Sequence, residues 1–349
     1  MYSEQTGGIT TNMENQIRLV QIGVGNWGKN LLRNFYNNPS VKIPIACDAD
    51  KNVAKKLAVE YPGMEATTDI QKIYERDDYD AVVIATQPEI HFEIAREFLK
   101  RGKHVFVEKP MVLHLAHGEE LTQLAKKQRR VLMVGHILEY HPAFEKVKQM
   151  IDGGELGEVY YIYTSRVNLG VIRKTENSLW SFAPHDISII LMFMNQEPVR
   201  VVSTGQSFIQ PGIEDVVFTT LHFADGKMAH IHVSWLDPHK IRKVTVVGSQ
   251  KMAVIDDMES TEKIRIYDKG VNFTGNYTAY GEYLTLRVGD ILIPNIKNAE
   301  PLKLECQHFI DCILNNKTPR SDGDDGLRVV RVLNAAQESL KQGGVPVSL

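Results

Sequence analysis

Two residues of the chain have the type and setting to move a proton. The first is Lys109, in the run Glu108-Lys109-Pro110 at the end of an apolar stretch. A lysine ammonium at a strand end can polarise a hydroxyl or carbonyl and stabilise a developing alkoxide. Pro110 biases the residue before it toward extended backbone, which helps to aim the side chain. The other reading of Lys109 is a surface lysine lying along a sheet edge. The second residue is His185, in Trp180-Ser181-Phe182-Ala183-Pro184-His185-Asp186. Pro184 and His185 would stand in the first turn of an apolar helix over residues 185–194. The positive end of a helix disfavours imidazolium, so His185 is expected to be neutral and able to act as a general base. Its other reading is a helix-start histidine hydrogen-bonded in the core. Asp186 could be no more than a partner for the helix dipole.

A second constellation would hold something for these residues to act with. Residues 17–24 are apolar and β-branched, and they run into Gly23-Val24-Gly25-Asn26-Trp27-Gly28. Strand, G-x-G-x-x-G turn and helix is the arrangement that cradles a dinucleotide. The first glycine allows the tight turn, the second lets a pyrophosphate approach, and the third lets helix pack on strand. Asp48 closes the next predicted strand, residues 42–47, where an acidic residue accepts from the adenosine ribose hydroxyls. A turn aspartate before a helix capped by Asp50 is the alternative. A carboxylate repels a 2′-phosphate, which favours NAD. Lys51, Lys55 and Lys56 soften that repulsion and leave NADP open.

Those residues need a sheet to position them. Predicted strands at 17–24, 42–47, 64–67, 80–86, 104–108 and 131–135 alternate with predicted helices at 28–35, 51–60, 69–76, 89–101 and 115–130. This is the pattern of a doubly wound parallel sheet. Ligands in such sheets sit beyond the carboxyl ends of the strands. Thr86, Gln87, Pro88, His91, Glu108 and Lys109 therefore join the glycine turn and Asp48 as cofactor-rim candidates. From about residue 150 the texture becomes β-rich, with strands at 159–167, 199–208, 216–223, 228–235, 243–247 and 263–267. Asp225-Gly226 between two of them is a hairpin signal. Strands that follow one another without helical crossovers predict a mostly antiparallel, open sheet. Helices are expected at 302–314 and 324–342, the last stopped by Gly343-Gly344.

The expected fold is thus α/β followed by α+β. A dinucleotide-binding domain would span residues 16–137 and a substrate-binding and oligomerisation domain residues 138–349, whose last helices could pack back on the first domain. His136, Arg166, Asn168, Arg173, Trp180 and Asp186 are the candidates for substrate contact, the arginines for a carboxylate or diphosphate. Surface arginine is the competing reading. His222, His230 and His232 alternate on strands without Cys, Asp or Glu at ligand spacing, so no metal site is expected.

Composition narrows the class. The chain has 349 residues, 43% hydrophobic and 24% charged, with net charge −3. That length predicts two domains, and the charge gives no reason to expect nucleic acid. Its three cysteines form no paired framework, as in a reducing compartment. Residues 1–15 are polar, with no signal-peptide or anchor pattern, and Met13 is an alternative start. No apolar run reaches the roughly 20 residues of a membrane span, so a cytoplasmic location is expected.

Together these residues resemble the Gfo/Idh/MocA family of sugar oxidoreductases. The resemblance runs from about residue 16 to the end. It rests on the glycine turn, Asp48, Ala85-Thr86-Gln87-Pro88 with His91, Glu108-Lys109-Pro110, Gly135-His136 and Ala183-Pro184-His185-Asp186. It implies hydride transfer between NAD(P) and a sugar carbon, with Lys109 and His185 as catalytic lysine and histidine. It also implies an open sheet used in a homodimer or homotetramer. The wording of residues 179–186 is most similar to the branch that oxidises the 3-hydroxyl of a UDP-N-acetylhexosamine or its uronate. Ser181 and Ser188 stand where many members have aspartates, so the carboxylate that orients the imidazole is absent or is supplied by Asp186 or elsewhere. An NADP-linked ketosugar reductase and an inositol-type polyol dehydrogenase are the other enzyme readings. A dinucleotide-bound sensor without turnover is the non-enzyme reading.

Overall fold

The structure, a computed structural model, describes residues 16–273 and 284–349. The expectation for residues 1–15 lies outside the described residues. The first half is a seven-stranded parallel sheet in the order β4-β3-β1-β5-β6-β7, with β2 also paired to β1. Its strands are β1 (Ile17–Ile22), β2 (Val41–Lys42), β3 (Ile45–Cys47), β4 (Glu65–Thr67), β5 (Ala81–Ile84), β6 (His104–Glu108) and β7 (Leu132–Gly135). β5 is buried along its whole length, as its unbroken Ala-Val-Val-Ile sequence requires of a central parallel strand. The single strand expected at residues 42–47 is two strands, because Pro44 has no N–H to continue the ladder.

Helices α1 (Gly28–Tyr36), α2 (Lys51–Glu60), α3 (Gln71–Tyr74), α4 (His91–Lys100) and α5 (Leu115–Gln128) cover the sheet. Asp50 caps α2 by accepting from the Asn52 amide at 2.7 Å. α3 is shorter than expected. Asp69 still accepts from the Gln71 amide, but only one turn follows.

The second sheet has nine strands, in the order β15-β14-β13-β12-β8-β11-β10-β9-β16. They are β8 (Val159–Val167), β9 (Pro198–Gln206), β10 (Val216–Phe223), β11 (Met228–Ser234), β12 (Ile241–Gly248), β13 (Met252–Asp256), β14 (Ile264–Phe273), β15 (Leu284–Leu292) and β16 (Val347–Ser348). The Asp225-Gly226 turn joins β10 to β11, with Gly226 at φ +84°. Neighbours are antiparallel except β8 and β11, which run parallel. The sequence reading lacked α6 (Pro142–Asp152), β13, β15 and β16. α6 carries an unusual cap, His141 Nδ1 accepting from the Ala143 amide at 3.1 Å.

The helix expected to begin at His185 begins a full two turns earlier. α7 spans Ser178–Met194, capped by Asn177, and carries Pro184 inside it. His185 is therefore a mid-helix residue. The last two helices, α8 (Pro301–Leu314) and α9 (Gly323–Lys341), return to the parallel sheet. Phe309 of α8 meets Phe35 of α1 and Phe106 of β6 edge-to-face, with ring centroids 6.2 and 5.7 Å apart. α9 places Val330 in the core of the parallel sheet and Val329, Val332 and Leu333 in the core of the other. One helix thus ties both cores together.

Phe309→Ala should cost about 3–5 kcal/mol, since it opens a cavity in a fully buried aromatic cluster. Urea unfolding monitored by circular dichroism would report it. A loss below about 1 kcal/mol would mean that the seat of α8 does not depend on this ring.

Candidate active site

A cleft of about 1060 Å³ opens over the carboxyl ends of the parallel strands. The glycine turn forms one wall. Gly23 sits at φ +86°, and a Cβ there would stand 2.4 Å from the Ala85 carbonyl oxygen. A Cβ on Gly28 would stand 2.3 Å from the Gly23 carbonyl oxygen, whereas one on Gly25 would meet nothing within 4 Å. Gly23 and Gly28 are therefore required by packing, and Gly25 leaves room on the cleft side for a ligand. α1 begins at Gly28, so the positive end of its dipole stands at the head of this room, although the Lys29 and Asn30 amides already donate to the Gly25 and Trp27 carbonyls. Asp48 Oδ2 accepts from the Val24 amide at 2.7 Å and Oδ1 from the Asp50 amide at 2.9 Å. Two backbone donors thus orient the carboxylate, which lines the cleft. An open glycine, a helix N-terminus and a held carboxylate fit the pyrophosphate and ribose of a dinucleotide.

Thr86, Gln87 and Pro88 line the same cleft, as do Asn26 and Trp27. Trp27 Nε1 donates to Glu108 Oε1 at 2.6 Å, so the glycine turn is fastened to the end of β6. Gly135 makes room for that carboxylate, since a Cβ there would lie 2.9 Å from Glu108 Oε1. His91 does not line the cleft. It is fully buried, and its ring nitrogens lie 3.0 Å from the Pro110 carbonyl and 3.2 Å from that of Thr86. It holds the loops after β5 and β6 together from behind, which corrects its expected place on the rim.

The reacting end of the cleft brings together Lys109 of the parallel sheet and His185 of α7. Lys109 Nζ donates to the Ser181 carbonyl at 2.9 Å. Burial pulls its pKa down, and the nearby Glu108 opposes the shift. Glu108 is pushed up by burial, against the Trp27 hydrogen bond and the Lys109 charge. His185 lies well below the ordinary histidine value, through burial first and then the charges of Lys109, Arg166 and His136. The imidazole is neutral, as expected, but for a different reason. Desolvation and crowding by cations keep it so; a helix terminus does not.

His185 Nδ1 is buried without a hydrogen-bond partner. Ser188 Oγ turns back to the His185 carbonyl at 3.1 Å. Asp186 does not orient the imidazole either, nor does it serve the helix dipole. It pairs with Arg166 through contacts of 2.7 and 3.3 Å, both residues being buried. Arg166 is thereby spent on an internal ion pair, which corrects its reading as a free hook for a substrate anion. Arg173 stays available: its side chain is 55% exposed, lies 3.4 Å from Glu176, and lines the cleft with it.

Three other substrate candidates point elsewhere. Trp180 Nε1 donates to Gln337 Oε1 of α9 at 3.0 Å. The Asn168 amide donates to the Ser234 carbonyl, and Asn168 is not among the cleft residues. His136 is 1% exposed and turns its Nδ1 to Asp325, away from the cleft. The sequence reading lacked Thr68, Ile70 and Tyr74, which wall the cleft beyond Asp48, and Glu176 beside Arg173. The first three follow β4, so the rule of strand carboxyl ends could have found them. Glu176 carries no such signal.

Comparison with known proteins meets this geometry. Residues 17–136 match the family described as "Oxidoreductase family, NAD-binding Rossmann fold", and residues 144–254 match the "GFO/IDH/MocA C-terminal domain". The chain belongs to the Gfo/Idh/MocA oxidoreductase family. Residues 17–136 are the NAD-binding Rossmann domain of that family. A scyllo-inositol 2-dehydrogenase (NAD(+)) of Bacillus subtilis is 26% identical over 97% of this chain and 97% of its own. Among solved structures, a UDP-N-acetylglucosamine 3-dehydrogenase of Acidithiobacillus ferrooxidans shares the fold at a TM-score of 0.81. It is 20% identical, covering 94% of this chain and 99% of that one. A Lactobacillus casei scyllo-inositol dehydrogenase with bound NAD(H) and scyllo-inositol has a TM-score of 0.79 and 20% identity. The match covers 95% of this chain and 99% of that one. No described helix of this oxidoreductase is long and apolar enough to cross a membrane.

Asp48→Asn should weaken NADH binding roughly 10- to 100-fold, the worth of a charged hydrogen-bond acceptor, and should narrow the preference over NADPH. Fluorescence titration with both cofactors would measure it. Equal affinity of parent and variant for NADH would remove Asp48 from the ribose site.

Proposed function

We propose that this family member is an NAD-dependent dehydrogenase that oxidises a secondary hydroxyl of a sugar, the 3-hydroxyl of a UDP-N-acetyl amino sugar or its uronate. The observation that carries the reading is the pairing of a half-buried lysine with a neutral, unpartnered imidazole in one cleft beside the glycine turn. Such a pair divides the work of alcohol oxidation. His185 accepts the hydroxyl proton. Lys109 stabilises the oxyanion that forms, and its partial burial strengthens the effect by reducing the screening of its charge. The Ser181 carbonyl holds the ammonium in place. NAD, when bound, supplies the hydride acceptor.

The nucleotide-linked substrate is supported by the resemblance of residues 179–186 and by Arg173. Arg173 offers a cation at the cleft mouth to a diphosphate or uronate. The inositol dehydrogenases among the relatives support a second reading, a free polyol, for which an exposed arginine has no use. We further assign a homo-oligomer contact to the open face of the nine-stranded sheet. Tyr161, Tyr163 and Phe218 are exposed there, and Phe218 stacks on His232 with centroids 4.5 Å apart.

Absorbance at 340 nm with NAD and a panel of UDP-N-acetylglucosamine, its uronate, inositol and free hexoses would test this. Reduction of NAD with a UDP sugar, falling about 10²- to 10⁴-fold in kcat for Lys109→Met and His185→Ala, is expected. NADH affinity should be unchanged in both variants. Turnover of free polyols alone would overturn the nucleotide-sugar assignment.

The cations around His185 predict a pH effect as well. Loss of activity on the acid side should set in well below pH 6.5, where an ordinary histidine titrates. Arg166→Gln removes a positive neighbour, so imidazolium forms more readily and the acid limb of kcat/KM moves up. An unmoved limb would mean that His185 is not the titrating base.

A further inference from the structure

Outside the cleft, three side chains from distant parts of the chain meet behind β7. His136 follows that strand, Glu139 lies in the 3-10 turn Ile137–Tyr140, and Asp325 is in the first turn of α9. One ligand atom from each lies within 4.8 Å of the other two. His136 Nδ1 stands 2.9 Å from Asp325 Oδ2 and 3.4 Å from Glu139 Oε1. His136 and Glu139 are 1% and 2% exposed, and the Asp325 side chain, 12% exposed, is the route to solvent.

The group has more acceptors than donors. Glu139 Oε1 has no hydrogen-bond partner, and neither oxygen of Glu305 on α8 has one, though both glutamates are buried. Glu305 lies on α8, which packs against the 3-10 turn that carries Glu139. Two arginines touch the group: Arg328 Nη1 is 3.6 Å from Asp325 Oδ1, and Arg320 Nη1 donates to the Glu139 backbone carbonyl. Buried carboxylates left without donors are costly. A divalent ion would satisfy several at once. Nitrogen and oxygen ligands at about 2.0–2.2 Å from such an ion stand roughly 3–3.5 Å from one another, which is the spacing of the His136 contacts. Arg328 would then steady a ligating carboxylate from outside, as second-layer groups do at metal sites.

We propose that His136, Glu139 and Asp325 bind one divalent transition-metal cation. One imidazole with carboxylates and no thiolate suits Zn²⁺ or Mn²⁺. None of the three residues lines the cofactor cleft, so the ion is structural. It would join the end of β7 to the first turn of α9, across nearly 190 residues of chain.

The test uses full-length protein without an affinity tag. Elemental analysis should find about one equivalent of Zn or Mn per chain. Chelation should lower Tm, and added ZnCl₂ or MnCl₂ should restore it. Glu139→Gln, isosteric and able to fold, should lose the metal and the chelator response. A double variant of the exposed sheet histidines, His230→Ala with His232→Ala, should keep both. Metal-free protein whose Tm ignores Zn²⁺ and Mn²⁺, with Glu139→Gln melting no lower than the parent, would overturn the proposal. The groups would then be sharing protons.

Discussion

The site depends on one electrostatic constraint: a lysine, an arginine and a histidine are confined to the same water-poor seam. Charges that close in low dielectric repel strongly. The molecule resolves this by letting one of the three stay neutral. Arg166 has Asp186 as its partner at 2.7 Å. Lys109 has the Ser181 carbonyl and the nearby Glu108. His185 has neither a carboxylate nor any partner at Nδ1, so it gives up its proton. The hydroxyl of Ser181, four residues before His185 on α7, brings no negative charge to the imidazole. The lack of that charge favours a neutral base, provided that packing alone fixes the ring.

Packing supplies that fixation through α7. The helix is apolar almost throughout, and its residues Leu179, Ala183, Ile187, Ile190 and Leu191 are fully buried in the core under the nine-stranded sheet. A helix so embedded has little freedom to rotate, so a side chain on its remaining face keeps its direction. Pro184 contributes locally. It has no N–H for the carbonyl four residues back, so the helix is loosened in the turn where the Ser181 carbonyl meets Lys109. The contact between the two sheets at the reacting centre is thus a hydrogen bond from a lysine to an irregular helix turn. α9 stabilises the same juncture at a distance by burying valines in both cores.

Much of this was legible in the sequence, and the limits have physical causes. The parallel sheet could be read because its strands are continuous apolar runs ending in glycine, aspartate or proline. The glycine turn and Asp48 could be read because steric demand leaves few other residues there. α7 was misread at its start because Pro184 resembles a first-turn proline, while the true cap, Asn177, lies among other polar residues. That error carried the wrong cause for the neutrality of His185. Arg166 and Asp186 are 20 positions apart, on a strand and a helix, and no local pattern announces their pairing. His91 and His136 looked like rim residues because they follow strands of the sheet. Each is turned inward by partners contributed from far along the chain, Pro110 for one and Asp325 for the other.

The seam also bears on which substrate suits it. A neutral polyol would enter a site where burial, and then the nearby cations, already hold His185 well below its usual pKa, and the base would stay weak. A substrate bearing a diphosphate or carboxylate would bring negative charge toward the same cations. It would thereby offset part of their pull on the imidazole and raise its basicity on binding. Basicity gained only in the complex is a form of specificity, because the base becomes strong when the correct substrate is present. Arg173, half out in solvent with Glu176 beside it, is the residue able to exchange an internal partner for such an anion. The exchange costs little, since an exposed pair contributes little to begin with. The Arg166–Asp186 pair is fixed by its burial, so the anion-sensing part of the site is its solvent-facing edge.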